Sequence, residues 1–181
     1  FTKLKRSRPD VILHTGYNPD ITLFLRQAKE QVLRFKALIG HGAGYGVADK
    51  LYDALGNDVD HVFNVYPVSI WLLNPKSLKP GLAEITAKVG AEYEKAKPGV
   101  KVKSAHVGMA ASNAHVFFTD VLPRAIKNHG GIDAEALRKA ALETNIPVGG
   151  TLLGFGVKFP QEGQSDLMGQ NTMASPVVML Y

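Results

Sequence analysis

The sequence predicts an α/β fold built on a parallel sheet, and three observations carry that reading. "DVILHTGY", "KALIG" and "DHVFNVYPV" are short, nearly continuous apolar runs, as strands covered on both faces read. Two stretches of helical periodicity separate them, so the order is strand–helix–strand–helix–strand, the order of right-handed crossovers. The 181 residues are 45% hydrophobic and 20% charged, enough apolar material for a real core.

Pro9 introduces the first run, Asp10 to Tyr17. "NPDITLFLRQAKEQVL" follows as a helix: Asn18 suits an N-cap, Pro19 the first helical position, and Asp20 the positive end of the dipole. Ile21, Phe24, Leu25, Ala28 and Val32 recur on one face. After "KALIG" and a glycine loop, a second helix is expected from about Val47 to Leu55, closed by Gly56. Beyond Pro67 the pattern changes. "SIWLLNPKSLKPG" is a connector, followed by a helix with Leu82, Ile85, Val89 and Tyr93 on one face and Pro98-Gly99 as its stop. The next helix spans about Val107 to Asn128, and Pro123 inside it predicts a kink or break, because proline lacks the N–H the ladder needs. Asp133 caps a third helix that ends before Pro147. The tail reads as two strands around a Gly-rich loop, too short for a domain, so its strands are expected to join sheets begun elsewhere.

Composition narrows the function. Net charge is +5 and the pI is near 9.4, but the basic residues are spread out, with one cluster at "KLKRSR". A nucleic-acid reader shows a Lys/Arg stripe interleaved with aromatics, so no nucleic-acid partner is expected. Absence of cysteine excludes disulfides, thiolate metal sites and Cys nucleophiles. No apolar run reaches the length of a membrane-spanning helix. Histidines stand at 14, 41, 61, 106, 115 and 129, with no H-x-x-x-H pair, so no metal and no other cofactor is expected. No pair of carboxylates stands out for acid–base work, and no catalytic residue is assigned. The chain starts at Phe1 without a signal-peptide pattern, which suggests a mature or truncated fragment.

"LIGHGAGYGVADKL" (Leu38 to Leu51) is the motif that most invites a function. A dinucleotide fingerprint needs glycine at its first, third and sixth positions. Counting from Gly40 the sixth is Tyr45, and counting from Gly42 it is Val47, so neither frame fits. The Walker lysine is missing too, and an esterase reading of His41-Gly42 lacks its G-x-S-x-G elbow. Position says more. Tyr17 ends one strand and His41 to Tyr45 follow the next, at the carboxyl ends where open α/β sheets bind ligands. Tyr17 offers a ring face and a hydroxyl, His41 donates or accepts, and loop amides around Gly42 and Ala43 suit a carboxylate. The competing reading is a turn in which glycine supplies positive φ and Tyr45 and His41 merely pack.

The run "RPDVILHTGYNPDITLFLRQAKEQVLRFKALIG", with Gly16-Tyr17, Asn18-Pro19-Asp20 and Leu25-Arg26-Gln27-Ala28, resembles the second lobe of type I periplasmic solute-binding proteins, in the branched-chain amino acid/amide branch. "FTDVLPRAIKNHGG", "ALRKAALETNIPVGG" and "GFGVKF…GQNTMASPVVM" resemble later parts of the same family. The resemblance implies a periplasmic-binding-protein type I fold of Rossmann-like lobes with flanking helices, and a non-enzymatic periplasmic receptor that closes on a small-molecule ligand and delivers it to an ABC transporter permease. It also implies that this is the C-terminal half, with residues 1–66 in the second lobe, 67–158 in the first, and 159–181 a hinge crossing and return strand. Tyr66-Pro67 and Phe159-Pro160 are then the expected crossings. The helices within 76–146 would meet the missing N-terminal half, or a second copy of the chain, through Leu82, Ile85, Val89, Phe117 and Val121. In amino acid binders of the family an acid just after the second strand meets the ligand's ammonium; here Gly40 to Gly44 holds none. Expected ligand contacts are Tyr17, His41, Gly42, Ala43, Tyr45 and His115, and the ligand is an aromatic or aliphatic carboxylate, an amide or an amino acid. The alternatives are a ligand-sensing module of a signalling receptor and a Rossmann-like nucleotide-dependent enzyme subunit.

Overall fold

A computed structural model describes residues 1–42, 44–99, 105–161, 163 and 169–180. In chain order its elements are α1 (Thr2–Ser7), β1 (Val11–Thr15), α2 (Asn18–Glu30), β2 (Ala37–His41), α3 (Ala48–Leu55), β3 (Val62–Tyr66), α4 (Leu82–Ala96), α5 (Ala105–Val116), α6 (Leu122–His129), α7 (Ala134–Leu142), β4 (Asn145–Ile146), β5 (Val157–Lys158) and β6 (Val177–Leu180). They fall into two compact units, one of residues 1–68, 105–106 and 176–180, the other of 69–99 and 107–175, among the described residues.

The first unit holds a four-stranded sheet in the order β1-β2-β3-β6. β1, β2 and β3 are parallel, as the crossovers require, and β6 from the tail runs antiparallel to β3. One face is dry. Ile12, Leu38 and Val62 point from the strands into a core with Ile21 and Leu25 of α2 and Leu51 of α3. α2 starts one residue earlier than its sequence suggests. Tyr17, not Asn18, is the N-cap, and Asp20 answers by accepting from the Tyr17 N–H at 3.2 Å. α2 also ends before Val32, which takes a left-handed φ of 52° and is exposed rather than joining the buried face.

In the second unit Leu82 of α4 packs with Ile70, Leu152 and Leu153, while Val121 packs with Ala125 of α6 and Ala140 of α7. The irregularity expected at Pro123 appears as a five-residue π-helical turn, Phe117–Val121, between α5 and α6. Such a turn re-spaces the ladder just ahead of the residue that cannot donate. A half-buried group ties it down: Asp120 pairs with Arg124, Arg124 Nη1 donates to the Ala140 carbonyl at 2.7 Å, and Thr144 Oγ1 donates to Asp120 Oδ2 at 3.0 Å. Asp133 caps α7, accepting from the amides of Glu135 and Ala136. β5 pairs with β4, a two-residue strand with no alternation to read. Phe159 and Pro160, expected at a crossing, lie inside this unit, and the chain leaves it at Ser175–Pro176.

Apolar surface is left bare elsewhere than the sequence suggests. Leu82 and Val121 are buried and Ile85, Val89 and Phe117 half-buried, so these helix faces are largely covered within the chain. The second face of the sheet is not. Leu13, Ile39, Phe63 and Leu180 are in register across its four strands, and Leu13 is 77% exposed and Leu180 59%. Contiguous apolar patches of this kind drive association. In isolation this chain is expected to self-associate at micromolar concentration, and the pair Leu13→Lys with Phe63→Lys to shift it towards monomer. Sedimentation velocity decides: a monomeric parent chain, or an unchanged oligomer in the double variant, contradicts this.

Candidate functional site

The candidate site lies at the carboxyl ends of β1 and β2 in the first unit. The loop after β2 is stitched to the loop after β1: the Gly44 N–H donates to the Gly16 carbonyl at 3.3 Å. A Cβ on Gly44 would stand 2.7 Å from that same oxygen and 2.4 Å from Ile21 Cδ1, so only glycine lets the loops touch. Gly40, inside β2, is empty for another reason. A Cβ there would stand 2.4 Å from the Tyr45 ring, which folds back onto the strand. Gly42 supplies the positive φ, at 97°.

Of the expected contacts, the fold brings together Tyr17, His41, Gly42 and Tyr45. Tyr17 is 71% exposed, and His41, the last residue of β2, is exposed beside half-buried Gly42. Tyr45 is different: it is 0% exposed, so its side chain supports the loop from beneath and lines no open surface. Its apolar ring belongs to the core, which outweighs display of one hydroxyl. Ala43 lies outside the described residues. His115 is half-buried on α5 in the second unit. Among the described residues no metal-binding cluster occurs, and no helix is long and apolar enough to cross a membrane.

Two functional candidates escape sequence reasoning, His14 and Asn64. Each is a polar residue inside an otherwise apolar strand run, and that was the available signal. His14 Nδ1 lies 2.8 Å from Tyr45 Oη, and its ring stacks on Phe24 at 4.4 Å. Asn64 Nδ2 donates to the Tyr45 carbonyl at 2.9 Å. At the end of β3, Tyr66 Oη lies 3.0 Å from His106 Nε2, and burial pushes the Tyr66 hydroxyl's pKa up, keeping it protonated.

Burial holds the His14 imidazole below its ordinary value of 6.5, against the opposing pull of the Asp20 carboxylate. The unfolded chain therefore binds this proton more readily than the folded one. The stability that neutral His14 confers is fully present above about pH 6.5 and is lost as pH falls through that value towards the lower folded one. Urea midpoints measured from about pH 7.5 to 5.5 should fall more for the parent chain than for His14→Asn; parallel profiles would contradict this.

A cavity of about 840 Å³ opens elsewhere, beside Pro9, Asp10, Phe35 and Lys36, which precede β1 and β2. It sits at the amino ends of the strands, away from the stitched loops.

Comparison with known proteins supports the architecture. No protein-family model matches the chain. It is 31% identical over 181 residues to a Leu/Ile/Val-binding protein homolog of Brucella abortus (homolog 7), an alignment covering 98% of this chain and 42% of that protein. The fold matches an extracellular ligand-binding receptor from Rhodopseudomonas palustris with a TM-score of 0.68 at 20% identity, over 99% of this chain and 47% of that one. It matches a type 1 periplasmic binding protein from Bordetella pertussis at 0.61 and 14% identity, over 99% and 45%. The chain thus spans less than half the length of these relatives. It is a relative of the Leu/Ile/Val-binding protein homologs and has the type I periplasmic-binding-protein fold.

Proposed function

We propose that this chain is part of an extracytoplasmic solute receptor that captures a small organic ligand and hands it to an ABC transporter permease. One observation carries the reading: two loops at the carboxyl ends of adjacent parallel strands are bound to each other, and leave an aromatic and an imidazole side chain exposed at their rim. That is the edge where α/β sheets bind ligands. The relatives are binding proteins by name, in line with capture rather than turnover. The bare sheet face belongs to the same reading, as the surface that the rest of the receptor polypeptide covers.

The ligand class follows from the loop. Gly40 to Tyr45 carries no carboxylate, while an α-ammonium calls for one. A charge-assisted bond of that kind contributes about 1.5–3 kcal/mol, roughly ten- to a hundredfold in affinity. Backbone amides around Gly42 and the His41 ring suit a carboxylate instead. The ligand is then an organic acid or amide lacking an ammonium, although the Brucella abortus relative is named a Leu/Ile/Val-binding protein homolog. Calorimetry on the receptor that carries this chain, against leucine, valine, benzoate and butyrate, tests it. Acids are expected to bind at least about tenfold more tightly. Nanomolar leucine binding with no response to benzoate or butyrate would overturn the ligand class.

A further inference from the structure

His14, Gly40 and Asn64 are register partners on three adjacent strands, a single row across the sheet. The flanking positions carry polar side chains, and the middle one carries none. Into the gap above Gly40 drops the Tyr45 ring, from the loop that β2 itself feeds. Its hydroxyl meets His14 on one side, at 2.8 Å. Its carbonyl accepts from Asn64 on the other, at 2.9 Å. The row is therefore a slot, and Tyr45 is the plug that returns the loop to the sheet three residues after half-buried Gly42.

We propose that His14 and Asn64 are positioning residues for ligand capture: by seating Tyr45 in this slot they hold the His41–Gly42 rim in its binding geometry. The inference deepens the receptor reading and rests on it for the word capture. The burial pattern argues for it. Asn64 is 1% exposed, and its Oδ1 meets no hydrogen-bond partner among the described residues. Burying an amide with half its capacity unmet is unfavourable unless the other half does something specific. Here that half fixes one backbone carbonyl of the loop. An apolar side chain would serve the core as well and leave the loop unheld. His14 is placed in the same way. Its ring already stacks on Phe24, so phenylalanine would fill the space, but only a nitrogen there can meet the Tyr45 hydroxyl.

The test separates positioning from mere packing. His14→Phe keeps the ring and removes the nitrogen, His14→Asn restores a nitrogen close to the Nδ1 position, and Asn64→Leu removes the donor to the loop. Amide hydrogen exchange is followed residue by residue, with benzoate and leucine affinities measured on the receptor that carries the chain. In His14→Phe and Asn64→Leu, exchange at Gly42, Gly44 and Tyr45 should speed up about two- to tenfold while the α2 amides keep their rates. The affinity of whichever probe binds the parent should fall by a similar factor, and His14→Asn should recover both. Unchanged loop exchange, exchange rising equally throughout the unit, or full affinity despite a loosened loop each overturns the inference. Should neither probe bind the parent protein, the ligand class has failed, and the loop's exchange rates alone support or overturn the slot.

Discussion

Replacing Tyr45 by alanine is expected to cost about 3–5 kcal/mol of stability, as for other large aromatic truncations in a packed core. The ring is fully buried, fills the space above Gly40, and carries a hydrogen bond at each end of the residue. Tyr45→Phe should cost only about 0.5–1.5 kcal/mol, the hydroxyl's share. Gly40→Ala attacks the same contact from the other side. Its new methyl would stand 2.4 Å from the ring, and overpacking of that kind costs roughly 1–3 kcal/mol. The diagnostic result is non-additivity. Once Tyr45 is alanine, Gly40→Ala meets no ring and should cost little, so the double variant should be more stable than the two single losses imply. Guanidinium denaturation of the four chains measures this. Additive losses would show that the glycine and the tyrosine are not in contact, and the slot would have to be abandoned.

Tyr17→Ala should leave stability nearly unchanged and weaken ligand binding by about 1–3 kcal/mol, five- to a hundredfold. Both halves follow from one structural feature: the side chain is 71% exposed, so the fold loses little with it, while the proposed binding edge loses the aromatic face at the end of β1. Gly42→Glu should also weaken an acid ligand, by placing a like charge and a bulky side chain at the rim. Gly42 has a φ of 97°, which strains any side chain, so Gly42→Gln is the matched control. Both substitutions carry the strain and only one carries the charge. For benzoate, the glutamate variant should bind more weakly than the glutamine variant, and raising the salt concentration should narrow the gap. Equal affinities would mean that the rim does not face the ligand's carboxylate.

These expectations mark how far the residues alone reach. The strands β1, β2 and β3, their parallel direction and the helices α2, α3, α4 and α7 were legible because each follows from a local rule: a continuous apolar run, a 3.6-residue period, an acidic cap or a terminal glycine. The break ahead of Pro123 was legible for the same reason, since a missing N–H is a property of the residue itself. Its form as a π turn was not, because the stabilising Asp120–Arg124–Thr144 group joins positions twenty-four apart. The pairing of β6 with β3 and of β5 with β4 likewise depends on partners that no window of sequence contains.

The glycine loop shows the division most clearly. Sequence placed it at the carboxyl end of a strand and showed that its glycine spacing fits no dinucleotide fingerprint, because motif spacing and strand direction are properties of the chain. It could not distinguish Tyr17 from Tyr45, since both are tyrosines next to glycines at strand ends. Tertiary structure separates them. Tyr45 finds a vacancy over Gly40, flanked in register by His14 and Asn64, and burying its ring there is more favourable than hydrating it. Tyr17 caps a helix through its backbone and has no such vacancy, so its ring stays in solvent. Residue type determined which side chains could serve a binding edge. Strand register, which aligns residues 14, 40 and 64, decided that Tyr45 packs over Gly40 while Tyr17 stays in solvent.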